Sequence, residues 1–98
     1  MAGVGQFKII TWNIDSARSR VGRKVVDNLV KTEKPEILLL QETRLKDGQS
    51  LYLDKMRIFR NDDGVGTAVA VKDEMKVNRI YPPELEGIDT TLIETKID

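Results

Sequence analysis

Residues 36–43, with the sequence EILLLQET, decide the fold, because four bulky apolar residues in a row lead into a polar segment that contains Glu42. The run begins directly after Pro35, which ends any helix before it, and it lacks the alternation of a half-buried strand. A continuous apolar run of this length is typical of a strand that is covered on both faces. We therefore predict a central strand that carries Glu42 at its carboxyl end.

A second strand is predicted at residues 7–13, FKIITWN, where β-branched and aromatic residues predominate. Between the two strands we predict a helix at about residues 20–33, with polar residues before it that can cap it. Its predicted apolar face carries Val21, Val25, Val26, Leu29 and Val30. A strand-helix-strand unit makes the two strands parallel, so Asn13 and Glu42 are expected at the same sheet edge, where α/β proteins bind ligands.

The second half of the chain contains four further segments with strand character. They are predicted at residues 56–60, 66–72, 75–80 and 91–97. The turn signal NDDG lies between the first two, so those two strands are expected to pair antiparallel. In the second of them Ala68 and Ala70 share one face, opposite Thr67, Val69 and Val71. The predicted fold class is α/β, a mixed sheet of about six strands with one main helix, forming a single domain over residues 1–98.

None of the predicted elements covers the second face of the sheet. One amphipathic helix covers one face only, whereas the central strand is apolar on both faces, and large exposed apolar patches are uncommon on monomers. We therefore expect a partner on the second face, either a missing C-terminal half of a larger domain or a second copy of the chain in a homodimer.

Composition limits the classes of function. The chain has 98 residues, of which 33% are charged and 40% hydrophobic, the balance of a soluble globular domain. A formal net charge of zero gives no global attraction to nucleic acid or membrane, so any polyanion site must be local. The chain has no Cys, which excludes disulfides, and no His, which removes the usual general base. No membrane span or secretory signal is seen, so the expected location is intracellular.

Two short motifs carry a family resemblance. TWNID at residues 11–15 and LQETR at residues 40–44 resemble the opening motifs of the endonuclease/exonuclease/phosphatase superfamily. Within it, residues 57–62 and 64–72 look most like the apurinic-type endonuclease domains of non-LTR retrotransposons. The resemblance implies the N-terminal half of the superfamily's four-layer α/β sandwich. It also implies a nuclear location if the chain derives from a eukaryotic retrotransposon and a cytoplasmic one otherwise.

The resemblance further implies a metal-dependent phosphodiesterase that acts on DNA. Glu42 would bind Mg²⁺ or Mn²⁺, and Asn13 and Asp15 would complete the catalytic metal site. Arg18 matches a position that contacts the nucleic-acid backbone, and Arg44 matches a basic position beside the acidic site. These residue types suit the chemistry independently, because hard cations take oxygen ligands and stabilise charge on phosphoryl oxygens.

The departures from the family pattern point to a chain that is inactive alone. Family members carry a later Asp-x-Asn pair and a terminal Asp-His pair, and neither is found here. Two other functions therefore stay open: a non-catalytic remnant that dimerises or binds a partner through its exposed sheet face, and a phosphatase or phosphodiesterase with another substrate. Single residues also keep a structural alternative. Asp15 could cap a helix or turn, and Gly64 and Gly66 could form either a phosphate cradle or a turn and a tightly packed strand.

Overall fold

The structure, a computed structural model, describes residues 7–46, 48–81 and 90–95. These residues form one helix and six strands, which in chain order are β1 (Ile9–Asn13), α1 (Arg20–Glu33), β2 (Ile37–Gln41), β3 (Met56–Asn61), β4 (Thr67–Lys72), β5 (Val77–Ile80) and β6 (Leu92–Thr95). The predicted α/β class is confirmed. The six strands are divided between a four-stranded sheet of order β1-β2-β4-β3 and a two-stranded sheet of β5 and β6. Residues 96 and 97 of the predicted last strand lie outside the described residues.

The four-stranded sheet is mixed, with β2 and β4 in its centre. The helix connects β1 to β2, and the two strands pair parallel, with Asn13 beside Gln41 at their carboxyl ends. β2 pairs antiparallel with β4, and β4 pairs antiparallel with β3. Both predicted strand pairings are thus confirmed, and Glu42 leaves the sheet next to the end of β1.

Helix α1 begins and ends with local caps. The Ser19 hydroxyl accepts a hydrogen bond from the Gly22 backbone N–H at 2.9 Å. At the other end, Lys34 adopts the left-handed conformation, with φ 48°, and its N–H donates to the Val30 carbonyl before Pro35 turns the chain toward β2. The predicted helix bounds are confirmed.

The apolar face predicted for α1 is wrong in part. Val26 and Val30 are buried against the sheet, but Val21 is 73% exposed and Val25 is also exposed. The four valines form two rows at a spacing of four residues, one with Val21 and Val25 and the other with Val26 and Val30. The two rows lie side by side on the helix, so helical spacing alone does not distinguish them. The helix is rotated so that the second row faces the sheet.

The first face of the four-stranded sheet packs against α1. Ala68 and Ala70 of β4 lie in this core with Leu38 and Leu40 of β2. Both alanines are buried in this core.

The second face is covered in part by the chain itself, which corrects the expectation that it has no cover. Ile37, Val69 and Val71 form a second core there, and Met75, Val77 and Ile93, from β5, β6 and the turn before β5, pack against it. The sequence predicted strands at β5 and β6 but not their position over this face. The two-stranded sheet packs on the four-stranded sheet and so covers part of this face.

The half of the second face that belongs to β1 stays exposed. Ile9 pairs with Ile37 in the sheet register and is 55% exposed, and Phe7 just before β1 is exposed as well. Among the described residues, β1 pairs with β2 alone and is therefore an edge strand. Within the described ranges, no helix is both long enough and apolar enough to cross a membrane.

Candidate active site

Asn13 and Glu42 meet at the carboxyl ends of β1 and β2. Asn13 is the last residue of β1, Glu42 follows β2 directly, and the Asn13 Nδ2 atom donates a hydrogen bond to Glu42 Oε2. Parallel pairing of two strands that end at the same level places these side chains side by side. The predicted convergence of the amide and the carboxylate is confirmed.

Asp15 joins this pair through its backbone and through Arg44. The Asp15 N–H donates to Asn13 Oδ1 at 3.3 Å. The Arg44 Nη2 atom lies 3.1 Å from Asp15 Oδ1 and 3.3 Å from Glu42 Oε1. We call Asn13, Asp15 and Glu42 the acidic corner. The structure therefore brings together four of the five predicted site residues.

Arg18 is the predicted site residue that the structure leaves apart. It lies in the loop between β1 and α1, and its backbone N–H donates to Ser16 Oγ at 3.2 Å. Its carbonyl accepts a hydrogen bond from Arg23 at 2.5 Å. Its guanidinium is exposed and makes no hydrogen bond or ion pair with the described residues.

Thr43 fastens the acidic corner to the rest of the fold, a role that the sequence reasoning missed. It is fully buried, its N–H donates to the Gly66 carbonyl at 3.2 Å, and its carbonyl accepts from Ala17 N–H at 2.7 Å. The next N–H, that of Arg44, donates to the Val65 carbonyl at 2.7 Å. One short segment thus binds both the loop that carries Asp15 and the turn between β3 and β4.

The backbone on each side of Thr43 is left-handed. Glu42 and Arg44 both have φ 55°, and Asp15 has φ 51°. A non-glycine residue held there costs roughly 1 kcal/mol or more, so the surrounding hydrogen bonds must hold the conformation. The two bends leave the Thr43 side chain inside the protein and bring the side chains of Glu42 and Arg44 into contact.

Gly66 is required by this packing. Its φ is 90°, and a Cβ added there would lie 2.3 Å from Thr43 Oγ1. Gly64, with φ 66°, forms the turn before it. These two glycines are explained by a turn and by close packing, the simpler of the two alternatives that the sequence left open.

Ser16, which follows Asp15 in the loop after β1, has an unusual backbone conformation. Its φ of 132° lies in a region that glycine adopts easily and other residues rarely adopt. The backbone at this position thus keeps a glycine-like shape, although the residue is serine.

The donor set of the corner suits a hard divalent cation. Two carboxylates and an amide group supply oxygen atoms, and the Arg44 guanidinium already lies between the carboxylates as a cation. No group of three or more Asp, Glu, His or Cys residues that could hold a metal ion is found in the part of the chain that the structure describes. Mg²⁺ commonly keeps several water ligands and is bound by only one or two carboxylates.

The corner lies at the carboxyl ends of two parallel strands, which is where open α/β sheets commonly bind their ligands. The sequence model of the endonuclease/exonuclease/phosphatase family matches residues 10–98, and the chain belongs to this family. The family takes in nucleases and phosphatases, which are hydrolases. No curated protein matches the chain.

Proposed function

We propose that this chain is the N-terminal part of a divalent-cation-dependent phosphodiesterase domain that acts on DNA and is inactive by itself. The acidic corner is the observation that carries the proposal, above all the Asn13–Glu42 hydrogen bond beside the Arg44–Asp15 ion pair. The choice of DNA rests on the sequence likeness of residues 57–62 and 64–72 to the endonuclease domains of non-LTR retrotransposons.

Each residue of the corner has a separate role in this proposal. Glu42 and Asp15 supply carboxylate oxygens to Mg²⁺ or Mn²⁺, and Asn13 orients Glu42 through its amide and offers a further oxygen. A cation bound there supplies electrostatic stabilisation of the charge that develops on a phosphoryl oxygen. Arg44 and the exposed Arg18 take the phosphate groups of the substrate, since guanidinium groups match phosphate oxygens in pairs.

Inactivity of the isolated chain follows from the missing base. Hydrolysis requires a group that takes a proton from water at neutral pH, and the chain contains no His. Glu42 and Asp15 both contact Arg44, and in this proposal they serve as ligands of the cation. We therefore expect the chain to bind a cation without cleaving DNA until further residues are supplied by another segment or chain.

A second candidate function is a non-catalytic remnant that binds a partner through the β1 half of the sheet. It is favoured by the exposure of Ile9 on the edge strand β1 and of Phe7 just before that strand. A third, a phosphatase or phosphodiesterase with a substrate other than DNA, uses the same corner and differs only in the substrate.

The proposal is tested by measuring Mn²⁺ binding. The electron paramagnetic resonance signal of free Mn²⁺ decreases as the ion binds to the chain. The wild-type chain is expected to bind Mn²⁺, and Glu42→Gln is expected to weaken binding roughly tenfold or more. Glu74→Gln is the matched control, because Glu74 is an exposed carboxylate beyond the end of β4, at the opposite edge of the sheet. Equal binding by all three chains, or none, would refute a cation site at the corner.

The proposed inactivity of the isolated chain is tested with duplex DNA that contains an abasic site, in the presence of Mg²⁺. We expect no cleavage above background by the wild-type chain. Cleavage that disappears in Glu42→Gln would show that the chain needs no additional catalytic residues. If Mn²⁺ does not bind but the chain captures a partner through β1, the non-catalytic alternative replaces the proposal.

A further inference from the structure

One guanidinium group holds both carboxylates of the acidic corner. Arg44 Nη2 contacts Asp15 Oδ1 at 3.1 Å and Glu42 Oε1 at 3.3 Å, and Nε lies 3.3 Å from the same Asp15 oxygen. The Arg44 side chain is 43% exposed, so water reaches these contacts. Arg44 thus occupies the space between the groups that are proposed to hold a cation.

We propose that Arg44 is the resident counter-cation of the corner, that an incoming divalent cation displaces it, and that the displaced guanidinium then binds an oxyanion. The inference rests on the proposed function, since it concerns the same site. In this proposal Arg44 has two alternative partners. It pairs with the two carboxylates when no divalent cation is bound, and with a phosphate group when the cation is bound.

Electrostatics favours the exchange. Two carboxylates within reach of one nitrogen atom repel each other, and a cation between them relieves that repulsion. Arg44 supplies one positive charge at this position. A divalent ion that contacts the same Oδ1 and Oε1 atoms would lie against the guanidinium, and two cations at contact distance repel strongly. The carboxylates can therefore serve one of them at a time.

The geometry makes the exchange easy. Ion pairs that are exposed to water are weak, so the guanidinium leaves at little cost. The Arg44 backbone stays fixed meanwhile, because its N–H donates to the Val65 carbonyl at 2.7 Å. The released side chain therefore remains beside the corner, where its planar guanidinium group can donate hydrogen bonds to two oxygens of a phosphate group.

Cation affinity in an arginine variant tests the exchange. Arg44→Gln is expected to bind Mn²⁺ roughly fivefold more tightly than the wild-type chain, because the competing charge is gone. Lys46→Gln is the matched control, since it removes a nearby exposed charge that contacts the Gly64 carbonyl and, among the described residues, no carboxylate. The affinity of this variant for Mn²⁺ should change less than about twofold. Arg44→Lys keeps the charge on a group without a planar fork, and we expect an affinity between those of the wild type and Arg44→Gln.

A nuclear magnetic resonance measurement of the Arg44 Nε–H signal provides the second readout. In the wild-type chain, added Mg²⁺ should shift this signal, which is identified by its loss in Arg44→Gln. Inorganic phosphate should then shift it again, and in the absence of Mg²⁺ phosphate should leave it in place. The backbone spectra of the variants show whether each one folds.

The outcomes separate this inference from the proposed function. Tighter binding in Arg44→Gln together with a shifted Nε–H signal supports the exchange. Mn²⁺ binding that is equal or weaker in Arg44→Gln, with clear binding by the wild-type chain, overturns the exchange and leaves the cation site intact. No binding by either chain overturns both. Equal tightening in Lys46→Gln also overturns the exchange, because general charge would then explain the effect.

Discussion

At the scale of single residues, Thr43 decides how the acidic corner is held. Its backbone bonds join the loop after β1 to the turn before β4, and its neighbours Glu42 and Arg44 carry the charged groups. The Thr43 hydroxyl is buried and has no hydrogen-bond partner among the described residues. A buried hydroxyl without a partner destabilises the folded state.

Thr43→Val is therefore expected to stabilise the fold. Valine keeps the shape and the branching at Cβ but removes the unpaired hydroxyl, so we expect the free energy of unfolding to rise by about 1 kcal/mol. Urea denaturation measures the change. Thr11→Val is the control, because the Thr11 hydroxyl accepts a hydrogen bond from Gln41 at 3.0 Å and its loss should not stabilise. A clear loss of stability in Thr43→Val would mean that the hydroxyl has a partner.

At the scale of elements, the rotation of α1 about its axis can be tested with two valines of the same helix. Val26 is 1% exposed and lies in the core, whereas Val21 is exposed. Val26→Ala should lower the free energy of unfolding by about 2 kcal/mol through the cavity it leaves. Val21→Ala should change it by less than about 0.5 kcal/mol, because that side chain faces water. Similar losses in both variants, measured by urea denaturation, would contradict the observed rotation.

Glu36 links neighbouring strands at the end of the sheet that lies opposite the acidic corner. Its carboxylate accepts hydrogen bonds from Lys72 Nζ at 2.9 Å and from the Lys8 backbone N–H at 2.5 Å. These two hydrogen bonds lower the pKa of the Glu36 carboxyl below its ordinary value of 4.5, and the bond from Lys72 has the larger effect. The carboxylate thus connects the ends of β1, β2 and β4.

This lowered pKa predicts a pH dependence of stability. The folded chain holds the Glu36 proton less tightly than the unfolded chain, so the stabilisation is fully present above the unfolded pKa and is lost as the pH falls through the folded pKa. Glu36→Gln should lower the free energy of unfolding by about 1 kcal/mol at pH 6 and should make the decline toward about pH 3 shallower than in the wild type. Urea denaturation at several pH values checks this.

The control for this prediction is Glu74→Gln, which changes an exposed carboxylate outside the network. It should leave both the stability near neutral pH and the acid decline close to those of the wild-type chain. An acid decline in Glu36→Gln as steep as that of the wild-type chain would contradict the role assigned to Glu36.

At the scale of the whole molecule, the β1 half of the second sheet face predicts association. Ile9 is exposed on β1, Phe7 is exposed just before it, and the outer side of this edge strand is unpaired among the described residues. Such an edge recruits another strand. Light scattering is expected to show a mass that rises with concentration, independent of Mg²⁺, and Ile9→Lys should reduce it by placing a charge on the edge. Val21→Lys, on the exposed side of α1, is the control. A monomer at every concentration would show that this half of the sheet needs no partner.

The sequence by itself determined the local elements and their pairing. The bounds of α1 follow from Ser19, Lys34 and Pro35, which act within a few residues of the helix ends. The parallel pairing of β1 and β2 follows from the helix between them, and with it the contact between Asn13 and Glu42. Periodicity and capping depend on neighbouring residues, so they can be read without the fold.

The tertiary structure decided which surfaces meet. Helical spacing admits both rows of valines on α1, and packing on the sheet selected the row with Val26 and Val30. The placement of β5 and β6 over the second face, the burial of Thr43 and the engagement of Arg44 with two carboxylates all join residues far apart in the chain. Such contacts depend on how whole elements pack, because the energy of a contact exists only when both partners are in place.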